Sequence, residues 1–112
     1  MKIFIAGHKG MVGSSILREL EKIGYDNLIF RNSSELDLRN QIQVNHFFET
    51  ERPEVVIDAA ARVGGILANS QYPYQFLMEN MQIQNNLIDA AVKFNVNKFI
   101  SCLLYTSDAA DE

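Results

Sequence analysis

The stretch that decides the fold is KIFIAGHKGMVG, residues 2–13. It opens with a nearly continuous apolar run over residues 2–6, which is typical of a strand buried on both faces of a sheet. Glycines follow at positions 7, 10 and 13, a G-x-x-G-x-x-G variant of the glycine pattern that binds dinucleotides. A helical pattern begins directly behind it, with apolar residues at Val12, Ile16, Leu20 and Ile23.

The order of strand, glycine turn and helix favours a pyrophosphate-binding turn over a glycine-rich turn without a ligand. In this interpretation Gly7 permits the tight exit from the strand, and Gly10 lets the backbone approach a pyrophosphate. Gly13 lets the helix pack against the sheet. The free N–H groups of the helix that starts near Met11 would hold the phosphates.

The rest of the chain repeats the alternation of strand and helix. Short apolar runs at 28–30, 55–57 and 99–100 predict three more strands. Asn40 can cap a helix that must end before Pro53, and Pro73 fits the first turn of a longer one. The buried face of the longer helix is predicted to carry Phe76, Ile83, Leu87, Ala90 and Phe94. The order β-α-β-α-β-α-β predicts a Rossmann-type α/β fold, a doubly wound parallel sheet with helices on both faces.

Composition excludes several classes of protein. With 112 residues the chain is at most one ordinary domain, and its 10 basic and 14 acidic residues give a formal charge of -4. That charge argues against a nucleic-acid binder that works through bulk positive charge. The single cysteine excludes an internal disulfide framework and a multi-cysteine zinc site, and no metal site is predicted. Apolar runs are too short to span a membrane, and no secretion signal is recognisable, so we expect a cytoplasmic protein.

The end of the second predicted strand bears on the choice of cofactor. An NAD site usually has an acidic residue there for the ribose 2′-hydroxyl, but this chain has Arg31, and Lys9 adds a cation in the glycine turn. Cations would favour the 2′-phosphate of NADP, which a carboxylate would repel. Glu35 competes for the acidic role from further along the loop. The alternative is that Arg31 and Lys9 are ordinary surface charges.

Several segments carry a resemblance to a known family. Residues 5–14, IAGHKGMVGS, and 59–66, AAARVGGI, are similar to extended short-chain dehydrogenases/reductases that act on nucleotide sugars. The second segment is more specific to the GDP-L-fucose synthase branch, although that branch more often has Lys at the position of Arg62. Residues 35–38 and 80–87 fit as well, so the resemblance extends from residue 1 to about 100.

The resemblance implies roles for individual residues. The pyrophosphate would be lined by Gly7, Gly10, Met11, Val12 and Gly13. Asp37 would accept a hydrogen bond from the adenine amino group, and Leu38 would lie beside the adenine ring. The cofactor would lie against three small residues at the end of the third strand, namely Ala59, Ala60 and Ala61. His8 is expected to be a structural or phosphate-side residue rather than a base.

The resemblance also implies an activity for the intact protein. It would bind a GDP-sugar, epimerise C3 and C5 of GDP-4-keto-6-deoxy-D-mannose and reduce C4 with NADPH, as a homodimer. Two alternatives stay open: another NAD(P)-dependent nucleotide-sugar epimerase or dehydratase, and a non-catalytic NAD(P)-binding sensor. The family's catalytic Ser and later Tyr-x-x-x-Lys pair have no match here, so no catalytic residue is assigned.

The last residues depart from the family. Residues 102–112, CLLYTSDAADE, resemble the in-frame translation of a transposase adapter used in DNA library preparation. We therefore expect residues 1–101 to be the N-terminal βαβαβαβ portion of an NAD(P)-binding Rossmann domain, and 102–112 to be a non-native tail. On that expectation the 112-residue chain is inactive by itself. The alternative is that the fourth strand continues through residues 99–106 into an acidic terminus.

Overall fold

Strands and helices alternate along the part of the chain that the computed structural model describes, residues 1–60 and 73–102. The side chains of Pro73 and Phe76 lie outside that part, as do the predicted loop at 61–71 and the tail at 103–112. In chain order the described elements are β1 (Ile3–Ala6), α1 (Met11–Lys22), β2 (Leu28–Ile29), α2 (Gln41–Glu51), β3 (Val55–Asp58), α3 (Pro73–Lys93) and β4 (Lys98–Ser101).

The described strands form one parallel sheet in the order β2-β1-β3-β4. Ile3 pairs with Leu28 on one side and with Val55 on the other, and Asp58 pairs with Ser101 of β4. The order places β1 between its two successors, so the glycine turn that follows β1 lies at the middle of the carboxyl edge. This is where doubly wound sheets bind their ligands.

The pleat of β1 divides the core between the two faces of the sheet. Ile3 and Ile5 point to one face, where α1 packs through Ile16, Leu17 and Leu20. Phe4 and Ala6 point to the other face, which α2 and α3 cover. The buried apolar side chains of those two helices are Val44, Phe47, Phe48, Ile83, Leu87, Ala90 and Ala91. Helices on both faces confirm the predicted doubly wound architecture.

Local signals explain most of the element boundaries. Asn40 caps α2 as predicted, because its side-chain oxygen accepts from the N–H groups of Ile42 (3.0 Å) and Gln43 (3.2 Å). The helix ends at Glu51, and the C-cap residue Arg52, with a left-handed φ of 50°, turns the chain into Pro53 and then β3. The predicted face of α3 is confirmed where it is described, with Ile83, Leu87 and Ala90 buried.

Two predicted positions differ in the structure. Ile23 was assigned to the apolar face of α1, but its side chain is 72% exposed. The helix ends at Lys22, and Ile23 leaves helical geometry with ψ of 6°, so the helical spacing no longer applies to it. Phe30 was assigned to the second strand, but β2 ends at Ile29 and the Phe30 ring packs on His8, 4.6 Å between centroids.

No helix in the described ranges is both long enough and apolar enough to cross a membrane.

Candidate cofactor-binding site

A cleft of about 630 Å³ opens at the carboxyl edge of β1, β2 and β3. Its walls come from the glycine turn (residues 7–13), the loop at 31–39 (here the cation loop), the end of β3 and one side chain of α3. The lining residues are Gly7, His8, Lys9, Gly10, Arg31, Asn32, Ser33, Ser34, Leu36, Asp37, Leu38, Arg39, Ala59, Ala60 and Ile83. The cleft therefore brings together residues from both ends of the predicted site.

Close backbone contacts fix the glycine turn. Gly7 has a φ of +81°, which L-residues with a side chain rarely adopt, and a Cβ there would overlap the backbone of Ala59. A Cβ on Gly13 would overlap the carbonyl of Gly7, so the first turn of α1 packs directly on the turn that follows β1. Gly13 therefore has the predicted packing role, because it lets α1 contact the glycine turn.

Gly10 has no such internal requirement. Its φ of -73° and ψ of 172° suit any residue, and a Cβ there would lie 3.5 Å from the Gly7 carbonyl oxygen, an ordinary contact. Nothing in the described packing demands glycine at this position. A ligand that lies against the backbone would demand it, as the sequence pattern predicts.

The amino end of α1 adjoins the glycine turn. Its first intrahelical bond runs from the Ser14 N–H to the Gly10 carbonyl at 2.9 Å. The N–H groups of Met11, Val12 and Gly13 therefore belong to the free helix N-terminus. The Met11 side chain is 89% exposed, and neither Met11 nor Val12 lines the cleft with its side chain. Any contribution from these residues to anion binding comes from backbone N–H groups.

Arg31 starts the cation loop and has three contacts outside the cleft. Its Nη1 donates to the Phe30 carbonyl (2.9 Å), and its Nη2 pairs with Glu51 Oε2 (3.2 Å). The guanidinium carbon also lies 5.2 Å from the centre of the Phe47 ring. Lys9 is exposed, and its ammonium makes no ion pair with any residue the structure describes.

Asp37 and Arg39 form a fork at the far end of the cation loop. Arg39 Nε and Nη2 approach the two carboxylate oxygens of Asp37 at 3.1 and 3.3 Å, and the Arg39 N–H donates to Oδ1 at 3.0 Å. These bonds raise the pKa of Arg39 above its usual value. Glu79 of α3 lies 3.8 Å from Arg39 Nη1. The predicted adenine-binding carboxylate thus sits in the cleft next to a cation that the sequence reading missed.

Hydrogen bonds from the helices hold the cation loop in place. Asn86 of α3 is buried and donates to the Leu38 carbonyl at 2.9 Å, and Gln43 accepts from the Asp37 N–H at 2.9 Å. Glu35 accepts from the Asn32 N–H at 2.8 Å and does not line the cleft. The carboxylate that competed for the acidic ribose-binding role is therefore used to close the turn at 32–35.

His8 lies in the cleft wall on the Phe30 ring. Its partial burial, with Lys9 nearby, lowers the pKa of the imidazole below 6.5, while Glu35 opposes that effect. The ring is therefore neutral at pH 7 in the free protein. A neutral imidazole can still donate one hydrogen bond to a phosphate oxygen.

Asp58 was not singled out by the sequence. It ends β3, is 2% exposed, and its Oδ1 accepts from the Ala60 N–H at 3.1 Å. Its Oδ2 is buried and has no hydrogen-bond partner among the residues that the structure describes. Burial raises the pKa of this carboxyl above 3.8, against the opposing effect of the Ala60 N–H. The sequence pattern predicts the third strand over residues 55–57. Asp58 would be recognised as a polar strand residue only if that prediction extended one position further.

Eight of the predicted cofactor-contacting residues line the cleft: Gly7, Lys9, Gly10, Arg31, Asp37, Leu38, Ala59 and Ala60. Ala61 lies outside the described residues, as do the family-like residues 62–66. Sequence reasoning missed Arg39, which pairs with Asp37 nearby and with Glu79 of α3, and Asn86, whose partner Leu38 is distant in the chain. Only the spacing of Arg39 two residues after Asp37 was available as a signal.

A family model for the NAD dependent epimerase/dehydratase family matches residues 3–104. The chain belongs to this family. It is 52% identical over 99 residues to the putative GDP-L-fucose synthase 2 of Arabidopsis thaliana, covering 88% of this chain and 30% of that protein. It is 48% identical over 99 residues to the GDP-L-fucose synthase of Escherichia coli strain K12, covering 88% and 31%.

Solved structures agree with this family membership. The chain matches MlghC, a GDP-mannoheptose C4 reductase from Campylobacter jejuni with NADP bound, at a TM-score of 0.84 and 41% identity. That match covers 89% of this chain and 30% of the reductase. The chain thus spans about 30% of the length of the curated relatives it matches.

Proposed function

We propose that this chain is the NADP-binding N-terminal part of an enzyme that makes GDP-L-fucose from GDP-4-keto-6-deoxy-D-mannose. The observation that carries the proposal is the cleft at the carboxyl edge, where the glycine turn, the free N-terminus of α1 and the cations Lys9 and Arg31 meet. The identities of 52% and 48% to GDP-L-fucose synthases support the substrate class.

The described residues fit a dinucleotide. Gly10 has no packing reason to be glycine, and it adjoins the helix N-terminus, where a pyrophosphate is stabilised by free N–H groups. Leu36, Leu38 and Ile83 give the same cleft an apolar wall for a base. The cofactor, when bound, supplies the hydride for carbonyl reduction.

This chain's own residues would bind and orient the adenosine half. The backbone at 10–13 faces the pyrophosphate, and Arg31 and Lys9 select the 2′-phosphate by charge. Asp37, held by Arg39, accepts from the adenine amino group, with Leu38 against the ring. Ala59, Ala60 and Ala61 let the cofactor pass over the end of β3. We assign no proton donor within the described residues.

Cofactor titration tests the proposal. NADPH and NADH are titrated into the 112-residue chain while the fluorescence of the reduced nicotinamide is followed, and we expect tighter binding of NADPH. Tighter binding of NADH would overturn the NADP assignment. Binding of neither would overturn the dinucleotide site itself. A chimera of residues 1–100 with the remaining part of the E. coli synthase repeats the titration in a full-length enzyme and is expected to reduce its 4-keto substrate.

A second candidate substrate is a GDP-4-keto-heptose, because the chain resembles the GDP-mannoheptose C4 reductase at 41% identity. The cleft is proposed to hold the cofactor and not the sugar, so cofactor binding cannot separate the two candidates. The whole protein assayed with GDP-4-keto-6-deoxy-D-mannose and with a GDP-4-keto-heptose separates them. We expect faster turnover of the deoxymannose substrate, and the reverse order would favour the heptose.

We propose further that the intact protein is a cytoplasmic homodimer. The outer face of α3 carries exposed apolar side chains at heptad-like spacing, which supports helix-to-helix contact between copies. They are Tyr74, Leu77, Met81, Ile88 and Val92. Light scattering on the whole protein tests this, and Ile88→Lys is expected to shift a dimer to a monomer.

A further inference from the structure

Glu51 ties the cation loop to the opposite edge of the sheet. It stands in the last turn of α2, and its two carboxylate oxygens bind different cations. Lys2 Nζ lies 3.3 Å from Oε1 and also donates to the Glu51 carbonyl at 2.8 Å, whereas Arg31 Nη2 lies 3.2 Å from Oε2. The Arg31 and Glu51 side chains are 33% and 26% exposed, so the pair is partly shielded from water.

Arg31 lines the cleft, but its guanidinium pairs with Glu51, which does not line the cleft. The last turn of α2 adjoins the amino edge, because the next N–H groups, those of Glu54 and Val55, donate to the Lys2 carbonyl at 2.9 and 3.1 Å. Arg31 follows β2 at the carboxyl edge, where the cleft opens. Its guanidinium lies 5.2 Å from the centre of the Phe47 ring of α2 and is paired with a carboxylate outside the cleft, so a phosphate in the cleft would have to compete with that carboxylate.

We propose that Glu51 is a specificity-determining residue that competes with the 2′-phosphate of NADP for Arg31. This inference rests on the proposed function. On binding NADP, the guanidinium exchanges Glu51 Oε2 for phosphate oxygens, because a phosphate monoester carries more negative charge than a carboxylate near neutral pH. The neutral 2′-hydroxyl of NAD cannot drive this exchange. Glu51 thus lowers the affinity for NADP and leaves the affinity for NAD unchanged.

The network around Glu51 keeps the free-energy cost of this exchange low. Lys2 stays on Oε1 when Arg31 leaves, so the partly buried carboxylate retains a cation. Arg31 keeps the Phe30 carbonyl and the Phe47 ring within reach during a rotation of its side chain. A partly exposed ion pair is weak, and a twofold to fivefold difference in affinity is about its usual strength.

A double-mutant cycle with two cofactors tests the competition. Wild type, Glu51→Gln, Arg31→Gln and the double variant are titrated with NADPH and NADH, both as the 112-residue chain and as the chimera with the E. coli enzyme. We expect Glu51→Gln to bind NADPH about twofold to fivefold more tightly and NADH as before. Arg31→Gln is expected to weaken NADPH binding about tenfold. Glu51→Gln should then have no further effect in the Arg31→Gln background.

Glu49→Gln is the matched control. It removes the same charge from the same helix two residues earlier, at an exposed side chain with no ion pair to a described residue, and should leave both affinities unchanged. Weaker NADPH binding in Glu51→Gln would overturn the proposal, because Glu51 would then orient Arg31 productively. An equal gain in the Arg31→Gln background would also overturn it, since the effect would not pass through Arg31. Failure of every form to bind either cofactor would overturn the proposed function itself.

Discussion

The glycine turn and the cation loop line one cleft and are built in different ways. The turn is fixed by backbone contacts, since Cβ atoms on Gly7 or Gly13 would overlap neighbouring backbone. The cation loop is held by side chains from elsewhere, with Arg31 on Glu51, and Leu38 bonded to Asn86. Under the proposed function, the backbone-built turn would bind dinucleotides in general, and the replaceable side chains of the cation loop would select the cofactor.

The largest expected effect is that of Gly13→Ala on folding. The new Cβ would meet the Gly7 carbonyl, and neither backbone segment can move without separating α1 from the turn. We expect a loss of about 3 kcal/mol in the free energy of unfolding, measured by urea denaturation. Gly24→Ala is the control for backbone strain without a clash, because Gly24 has a positive φ (+91°), unlike Gly13, and open space around it, so it should lose only about 1 kcal/mol. Equal losses would contradict a steric role for Gly13.

Gly10→Ala should affect binding and spare folding. Its Cβ meets nothing closer than 3.5 Å within the described protein, but it would occupy the surface offered to the pyrophosphate. We expect NADPH and NADH binding to weaken alike, by about tenfold, as measured by titration. Unfolding should change by less than about 1 kcal/mol. A change confined to NADPH would mean that the turn also selects the cofactor, which would remove the contrast between the two walls.

Asp58→Asn tests a charge placed beneath the backbone-built wall. Folding raises the pKa of Asp58 above 3.8. At pH values between the pKa of the unfolded state and that of the folded state, the folded state therefore binds more protons than the unfolded state. The free energy of unfolding therefore falls as pH rises through this window. In Asp58→Asn that dependence disappears. Between pH 4 and pH 7, we expect the free energy of unfolding of Asp58→Asn to rise by about 1 kcal/mol relative to wild type, as measured by denaturation at both pH values.

The cofactor ratio provides the control for Asp58→Asn. Because Asp58 does not line the cleft, the ratio of NADPH to NADH affinity should not change. A changed ratio would show that the end of β3 takes part in choosing the cofactor.

The smallest expected effect is that of Lys9→Gln. Lys9 is an exposed cation within the glycine turn, so it tests whether a side chain on the backbone-built wall also contributes to selectivity. We expect NADPH binding to weaken about threefold and NADH binding to stay constant, because the ammonium acts through solvent. Titration in low and in high salt checks this, and the effect should shrink as salt rises. A salt-independent loss would indicate a direct contact with the phosphate.

The sequence by itself determined the fold class and the glycine turn. The buried strand at 3–6, the glycine spacing and the capping residue Asn40 are local signals, and each is read within a few residues of its neighbours. Gly7 and Gly13 must lack a Cβ because neighbouring chain segments lie too close. The β-α-β connection determines the order of those segments. Local patterns and the family resemblance together predicted eight residues that line the cleft.

Only the tertiary structure decided what holds the cations. Arg31 meets Glu51 across 20 residues, and Asn86 reaches the Leu38 carbonyl across 48. Periodicity within one element cannot show such pairs, because they depend on how α2 and α3 pack over the sheet. Asp58 is buried at the end of β3, where it pairs with Ala6 of β1 on one side and Ser101 of β4 on the other. The position of each charge followed from the sequence, but its partner followed from the fold.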